Sequence, residues 1–221
     1  MNAVFKQAWF LIQKDIVLEW RQRYALSGIL LYVLSSVMVV YLAFTSIEAT
    51  AWLAVFWIIL LFASVNALTK SFVQENSGRL LYYYTVVSPQ AIILSKLVYN
   101  VALLLVIAGL ALGAYSLLMG NPVQHMGLFM AAVVLGATGF SFCFTLIAAI
   151  ASKTGHRNAT LMPVLSFPVV TPVLGLLIAL SKNAVAGIQT QNTLRDIGNL
   201  VAIDVVLAVL SFILFPYLWR D

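Results

Sequence analysis

Charge is scarce in this chain. Only 9% of its 221 residues are Asp, Glu, Lys or Arg, and just seven are acidic. Soluble domains carry roughly a quarter of their residues charged, so a water-facing surface cannot be assembled from this supply. Cysteine is nearly absent: Cys143 stands alone, which excludes an internal disulfide and a Cys-x-x-Cys-His attachment site for haem. There are two histidines, His125 and His156. They fall in turns expected on opposite membrane faces and cannot jointly hold one ion, and no His/Cys/Glu cluster has metal spacing. A G-x-x-x-x-G-K-[ST] phosphate loop is missing as well. The nearest stretch, SKTGHRN from Ser152, has neither the spacing nor the flanking strand, so the chain cannot hydrolyse ATP by that route. Nor do the basic residues gather on a soluble face, as nucleic-acid binding requires.

What is present in excess is apolar surface. Hydrophobic residues make up 63% of the chain and the mean hydropathy is +1.03. A core of 24.2 kDa cannot bury that much, so the bilayer must act as solvent. Backbone polar groups in hydrocarbon must pair internally, which leaves helices or a closed barrel. The apolar runs continue for about twenty residues, the length helices need, without the ten-residue alternation of barrel strands. The sequence therefore predicts an all-α polytopic membrane protein, one membrane domain over residues 1–221. Six transmembrane helices are expected at 25–44, 51–69, 91–118, 128–151, 159–180 and 200–217. The N-terminus lacks the compact apolar region and cleavage site of a removable signal peptide.

Residues 1–24 carry Phe5, Trp9, Ile12, Ile16 and Trp20 on one helical face, with Gln7, Lys14 and Arg21 roughly opposite. That pattern predicts an interfacial helix lying along the membrane surface, or a helix packed on the chain's own spans. Ten of the twelve Lys and Arg residues fall on the N-terminal side of the expected spans: Lys6, Lys14, Arg21, Arg23, Lys70, Arg79, Lys96, Lys153, Arg157 and Arg220. Only Lys182 and Arg195 fall on the other. Basic loop residues mark the cytoplasmic side, so both termini are expected there.

Few polar residues within the spans offer chemistry. Asp204 is expected about one turn into the sixth span, near the outer surface. It would reach the interface, pair with Arg195 or Lys182, or form a polar wall on an exit path. His125, in the outer turn, is either a solvated loop residue or a ligand for haem iron. Asn66 and Asn100 suit helix–helix hydrogen bonds. Pro163, Pro168 and Pro172 crowd the fifth span. Each removes a backbone donor, giving a kinked packing helix or a hinge. The fourth span reads GATGFSF from Gly136, small residues that permit close helix approach within the protomer or across a dimer. The longest outer loop is expected from Ser181 to Asn199.

The inner stretch 70–90 holds the most telling mixture: Glu75, Gly78, an apolar-aromatic block from Leu80 to Tyr84, then Ser88-Pro89. A free loop has no use for Leu-Leu-Tyr-Tyr-Tyr. An amphipathic helix docking into a groove on a soluble partner does. Lys96, one turn into the next span, is expected to extend its ammonium back towards water.

On these residues the chain resembles the CcmB family, the membrane subunit of the bacterial cytochrome c maturation ABC transporter, a haem exporter. The resemblance rests on KDIVLEWRQRY before the first span, on Phe72, Glu75, Gly78 and Ser88-Pro89, on AIILSKLVYN with Lys96, and on LMPVLSFPVVTP in the fifth span. It runs along nearly the whole chain. It implies a permease of the type-2 ABC exporter kind in the bacterial inner membrane. Its partners would be a separate ATPase subunit (CcmA-like) that binds the ATP, with CcmC, CcmD and the haem chaperone CcmE, and two permease copies would make one transporter. It further implies that residues 1–24, with Lys14, Asp15, Glu19, Trp20 and Arg21, form an elbow helix. Residues 70–90, with Phe72, Glu75, Gly78, Arg79, Leu80 and Leu81, would couple to the ATPase. No cofactor is expected to be held firmly; haem would be cargo. The family's acidic loop is thinner here, with Glu75 its single carboxylate. Competing readings are a permease of the same class for another substrate, such as a lipid-linked molecule or drug, and a non-transporting membrane scaffold. An intramembrane enzyme is disfavoured, since no Asp pair, His/Glu set or Ser/His arrangement lies within the spans.

Overall fold

The apolar runs become helices, and the turn residues between them set the ends. The computed structural model describes residues 2–21, 24–73, 87–153, 161–188 and 191–220, and these are all-helical apart from short turns. The order is α1 (Asn2–Arg21), α2 (Tyr24–Ala43), α3 (Ala49–Val73), α4 (Pro89–Met119), α5 (Met126–Lys153), α6 (Leu161–Ala186) and α7 (Gln191–Arg220). Five of them are long and apolar enough to cross a membrane. Their apolar stretches are Ala49–Leu68, Pro89–Met119, Met126–Ala151, Leu165–Ala186 and Asn192–Tyr217. Helix α2 carries a shorter apolar stretch, Ser27–Ala43. The chain is a multi-pass membrane protein.

Helix ends follow local chemistry. Pro89 occupies the first turn of α4, where its missing N–H is no loss. Gly120 closes α4 at φ 72° and Gly187 follows α6 at φ 67°, a left-handed conformation that side chains resist. At the start of α5, the Leu128 N–H donates to His125 Nδ1 at 3.1 Å, and the Phe129 N–H donates to the His125 carbonyl at 3.2 Å. His125 is thus the N-cap of α5, a role more often filled by Ser, Thr, Asp or Asn.

Helix α5 is the centre of the bundle. Of its apolar stretch 72% is buried, against 22% for α7 at the periphery. It packs against α3, α4, α6 and α7. The half of the bundle nearest the 44–48 and 120–125 turns is filled by aromatic rings. Trp52 lies 4.7 Å from Tyr115 between centroids, Phe56 5.5 Å from Phe129, and Trp57 meets Phe140 edge-on at 6.2 Å. The indole N–H groups are not wasted inside: Trp52 donates to the Gly120 carbonyl at 3.1 Å and Trp57 to Ser181 Oγ at 3.0 Å.

Two expectations change here. The long loop expected from Ser181 to Asn199 is mostly helix. Helix α6 continues to Ala186 and α7 begins at Gln191, because polar residues at a helix end lower hydropathy without breaking the backbone. The small residues of the fourth span do permit close approach, and it is made within the protomer. A Cβ on Gly136 would sit 2.7 Å from the Trp57 ring, and one on Gly139 would sit 2.7 Å from Asp204 Oδ1.

Candidate functional site

Helix α1 is fixed to α4 by polar side chains in nearly constant register. Gln7 Oε1 accepts from Ser88, from the hydroxyl at 3.0 Å and the backbone N–H at 3.4 Å. Eight residues on, Asp15 lies 3.1 Å from Lys96 Nζ. Four further on, the Tyr99 hydroxyl donates to the Glu19 carboxylate. The partners are offset by 81, 81 and 80 positions, so α1 and the first third of α4 run parallel, side by side. Of the two arrangements the sequence allowed, packing on the chain's own helices is the one these contacts display. Crossing helices meet at one point and cannot hold three contacts over about 18 Å of axis. Ala8 is buried in the junction and Leu11 packs on the core, while Phe5, Trp9, Ile16 and Trp20 are exposed on the other side. The aromatic stripe read from the sequence thus faces away from the bundle, as a lipid-facing surface requires.

Of the elbow residues, Asp15 is buried at this junction and Lys14 lies 3.1 Å from it on the solvent side. Glu19 reaches Tyr99, whereas Trp20 and Arg21 point outward. The expectation for Lys96 is overturned. Rather than reaching back to water it is buried, with a side-chain exposure of 7%, because Asp15 supplies a counter-charge inside. A buried ammonium is tolerated only when so paired.

The junction sits where the expected coupling segment meets the bundle. Ser88, held by Gln7, is the residue before α4. Phe72 lies in the last turn of α3. Glu75, Gly78, Arg79, Leu80 and Leu81 lie outside the described residues.

Asp204 is buried within the bundle. It lies twelve residues past Asn192 and thirteen before Tyr217, at the middle of the α7 apolar stretch, and it is 6% exposed. Pairing with Arg195 on the same helix is excluded by nine residues of rise, about 13 Å, and Lys182 is exposed to the outside. Asp204 faces α5 instead. Its Oδ2 lies 2.9 Å from Thr138 Oγ1, and its Oδ1 lies against Gly139.

The proline-rich α6 is continuous through Pro168 and Pro172, and Pro163 lies in its first turn. A discontinuous helix is therefore not formed. Pro168 and Pro172 face outward, where their rings displace no neighbour. Thr171 Oγ1 donates to the Phe167 carbonyl at 2.6 Å, a back-bond of the kind that bends helices. Asn100 Nδ2 donates to Thr145 Oγ1 at 2.8 Å, joining α4 to α5. Asn66, by contrast, faces outward from α3.

His125 spends Nδ1 on capping, which places its own proton on Nε2. Ligating iron would require the other arrangement and loss of the cap. His125→Ala should lower stability by about 1 kcal/mol, as for other lost caps, while His125→Asn stays close to the parent. Unfolding by denaturing detergent measures both.

The sequence reading missed the Gln7–Ser88 and Glu19–Tyr99 partners, Thr138, and the Trp57–Ser181 bond. One signal was available: the polar residues 7, 15 and 19 are spaced by eight and four, close to the eight and three of 88, 96 and 99.

Comparison with known proteins gives one family: the model of the CcmB protein family matches residues 6–216. No curated protein and no solved structure matches the chain.

Proposed function

The chain belongs to the CcmB family, and on that premise we propose that it is the permease subunit of an ABC transporter serving cytochrome c maturation. A separate CcmA-like subunit binds and hydrolyses ATP. Its work drives either haem export or release of haem-loaded chaperone, with CcmC-, CcmD- and CcmE-like proteins as partners. The observation that carries this reading is the family match over almost the whole chain.

The rest of the proposal follows from placing that function on the bundle. Helix α2 counts as a sixth crossing, since its 20 residues rise about 30 Å, the thickness of the hydrocarbon core. Six crossings in the bacterial inner membrane, with the basic ends inside, put both termini in the cytoplasm. The transporter contains two copies and is of the type-2 exporter class. Segment 70–90 is the coupling segment, with Phe72, Glu75, Gly78, Arg79, Leu80 and Leu81 docking on the ATPase. Movement imposed there enters α4 at Ser88. Because Gln7, Asp15 and Glu19 hold α1 to the same stretch, the elbow helix and α4 move as one body. Pro163, Pro168 and Pro172 let α6 flex in response. ATP shifts the equilibrium only through the different affinity of the two states for the closed ATPase dimer.

Glu75→Arg or Gly78→Pro tests this. Each should abolish c-type cytochrome maturation while the protein still inserts in the membrane at normal level, read by haem staining and membrane immunoblot. Normal maturation in both variants would overturn the coupling role.

A further inference from the structure

We propose that Asp204 is a proton-binding site in the middle of the membrane: its carboxyl group carries a hydrogen at rest and donates it to Thr138, latching α7 to α5. The proposal needs the chain to span a bilayer and is independent of what the transporter moves.

The first argument is position. Asp204 is central in the α7 apolar stretch, and Thr138 is central in that of α5, twelve residues past Met126 and thirteen before Ala151. Both therefore lie near the bilayer midplane, where an unpaired ionised carboxylate is least tolerated.

The second is a count of hydrogens. Thr138 Oγ1 lies 2.8 Å from the Leu135 carbonyl and 2.9 Å from Asp204 Oδ2. A hydroxyl has one hydrogen, and the carbonyl can only accept. If Thr138 gave its hydrogen to Asp204, two bare oxygens would face each other at 2.8 Å. If it gives the hydrogen to Leu135, the usual back-bond of a helical threonine, Asp204 must supply its own. A protonated carboxyl gives each contact a hydrogen of its own.

The third is the surroundings. The other carboxyl oxygen, Oδ1, has no hydrogen-bond partner and rests against Gly139, whose missing side chain makes the room. The carbonyl oxygen of an acid bears this more easily than a carboxylate oxygen, which wants several donors. The elements packed on α7 offer no counter-charge at this level among the described residues. On α5 the nearest titratable residue is Cys143, more than a turn from Thr138, and Lys153 is the last residue of the helix. On α4, Lys96 is engaged with Asp15 and Tyr99 with Glu19, and Tyr115 stacks on Trp52. On α6, Lys182 faces outward, and on α7 itself Arg195 and Asp196 are two or more turns away.

It follows that any movement that parts α7 from α5 and admits water lets the proton pass to that water, leaving a solvated carboxylate. Closure takes a proton back. Opening and proton release are then one event.

Infrared spectroscopy of the full chain in lipid vesicles tests this at neutral pH, where a solvated aspartate is ionised. The spectrum of the parent minus that of Asp204→Asn should contain the C=O stretch of a protonated carboxyl, displaced by carbon-13 labelling of aspartate. Thr138→Val, which leaves Asp204 in place but removes its acceptor, should move that band to higher frequency. A difference spectrum with only carboxylate bands would overturn the proposal. So would an acid band that Thr138→Val leaves unmoved.

Discussion

Lys96→Met should loosen α1 from α4 while leaving the membrane bundle folded. The substitution keeps the length and apolar stem of the side chain but leaves Asp15, which is 8% exposed, with Lys14 alone on its solvent side. Breaking a buried pair by removing one partner typically costs 3–5 kcal/mol, since the remaining charge is stranded. The Lys14 ammonium at 3.1 Å softens this, so a loss of about 2–3 kcal/mol is expected. The partner change Asp15→Leu removes the carboxylate 3.1 Å from the Lys96 ammonium. The double variant Asp15→Leu/Lys96→Met removes both charges and should recover most of the loss. A double-mutant cycle by detergent unfolding gives the coupling energy directly. A value under about 0.5 kcal/mol would reduce the pair to the status of an exposed ion pair. If α1 and α4 move together during the ATP cycle, Lys96→Met should also uncouple maturation from ATP hydrolysis in the assembled transporter, whereas the double variant, whose helices still pack through Ala8 and Leu11, should retain more of it.

The apolar runs made most of the bundle legible, because a helix in hydrocarbon has few alternatives and its core must be written as an unbroken greasy stretch. What hydropathy could not locate was where helices end in polar surroundings. Ser181, Lys182 and Asn183 read as loop, yet α6 runs on through them to Ala186. Its chain direction changes only near Gly187, at φ 67°. That displacement misplaced Asp204: counted from Leu200 it lies one turn in, counted from Asn192 it lies at the middle. The face of α1 was legible, since Phe5, Trp9, Ile16 and Trp20 can only line up at a period of 3.6. Its partner was written only faintly, in the similar spacing of residues 7, 15, 19 and 88, 96, 99, and the adjacent Lys14 offered Asp15 a nearer cation. The reading of Glu75 to Leu81 as the coupling site remains a reading of residue types, supported by the anchoring of Ser88 at one end of that segment.

Close packing against the Trp57 ring should make Gly136 one of the least replaceable residues of α5. A Cβ there would lie 2.7 Å from two atoms of the Trp57 six-membered ring and 3.0 Å from Leu177. The ring cannot easily retreat. Its N–H is tied to Ser181 at 3.0 Å, and its faces and edges meet Phe56 at 5.4 Å and Phe140 at 6.2 Å between centroids. In lipid no hydrophobic term rewards burial between helices, so association here rests on close packing and on the hydrogen bond. Gly136→Ala should therefore cost roughly 1–3 kcal/mol, the usual range for overpacking, and Gly136→Val more, since a branched side chain adds two atoms where one already collides. Trp57→Leu deletes the colliding ring and the hydrogen bond, at roughly 3 kcal/mol or more for so large a buried side chain. The two changes should not add: with the ring gone, Gly136→Ala meets only the end of the Leu177 side chain at 3.0 Å, and its cost should fall to a fraction of its value beside the ring. Detergent unfolding of the two single variants and the double one measures this. Additive losses would mean that the indole is not what holds α5 at its distance from α3.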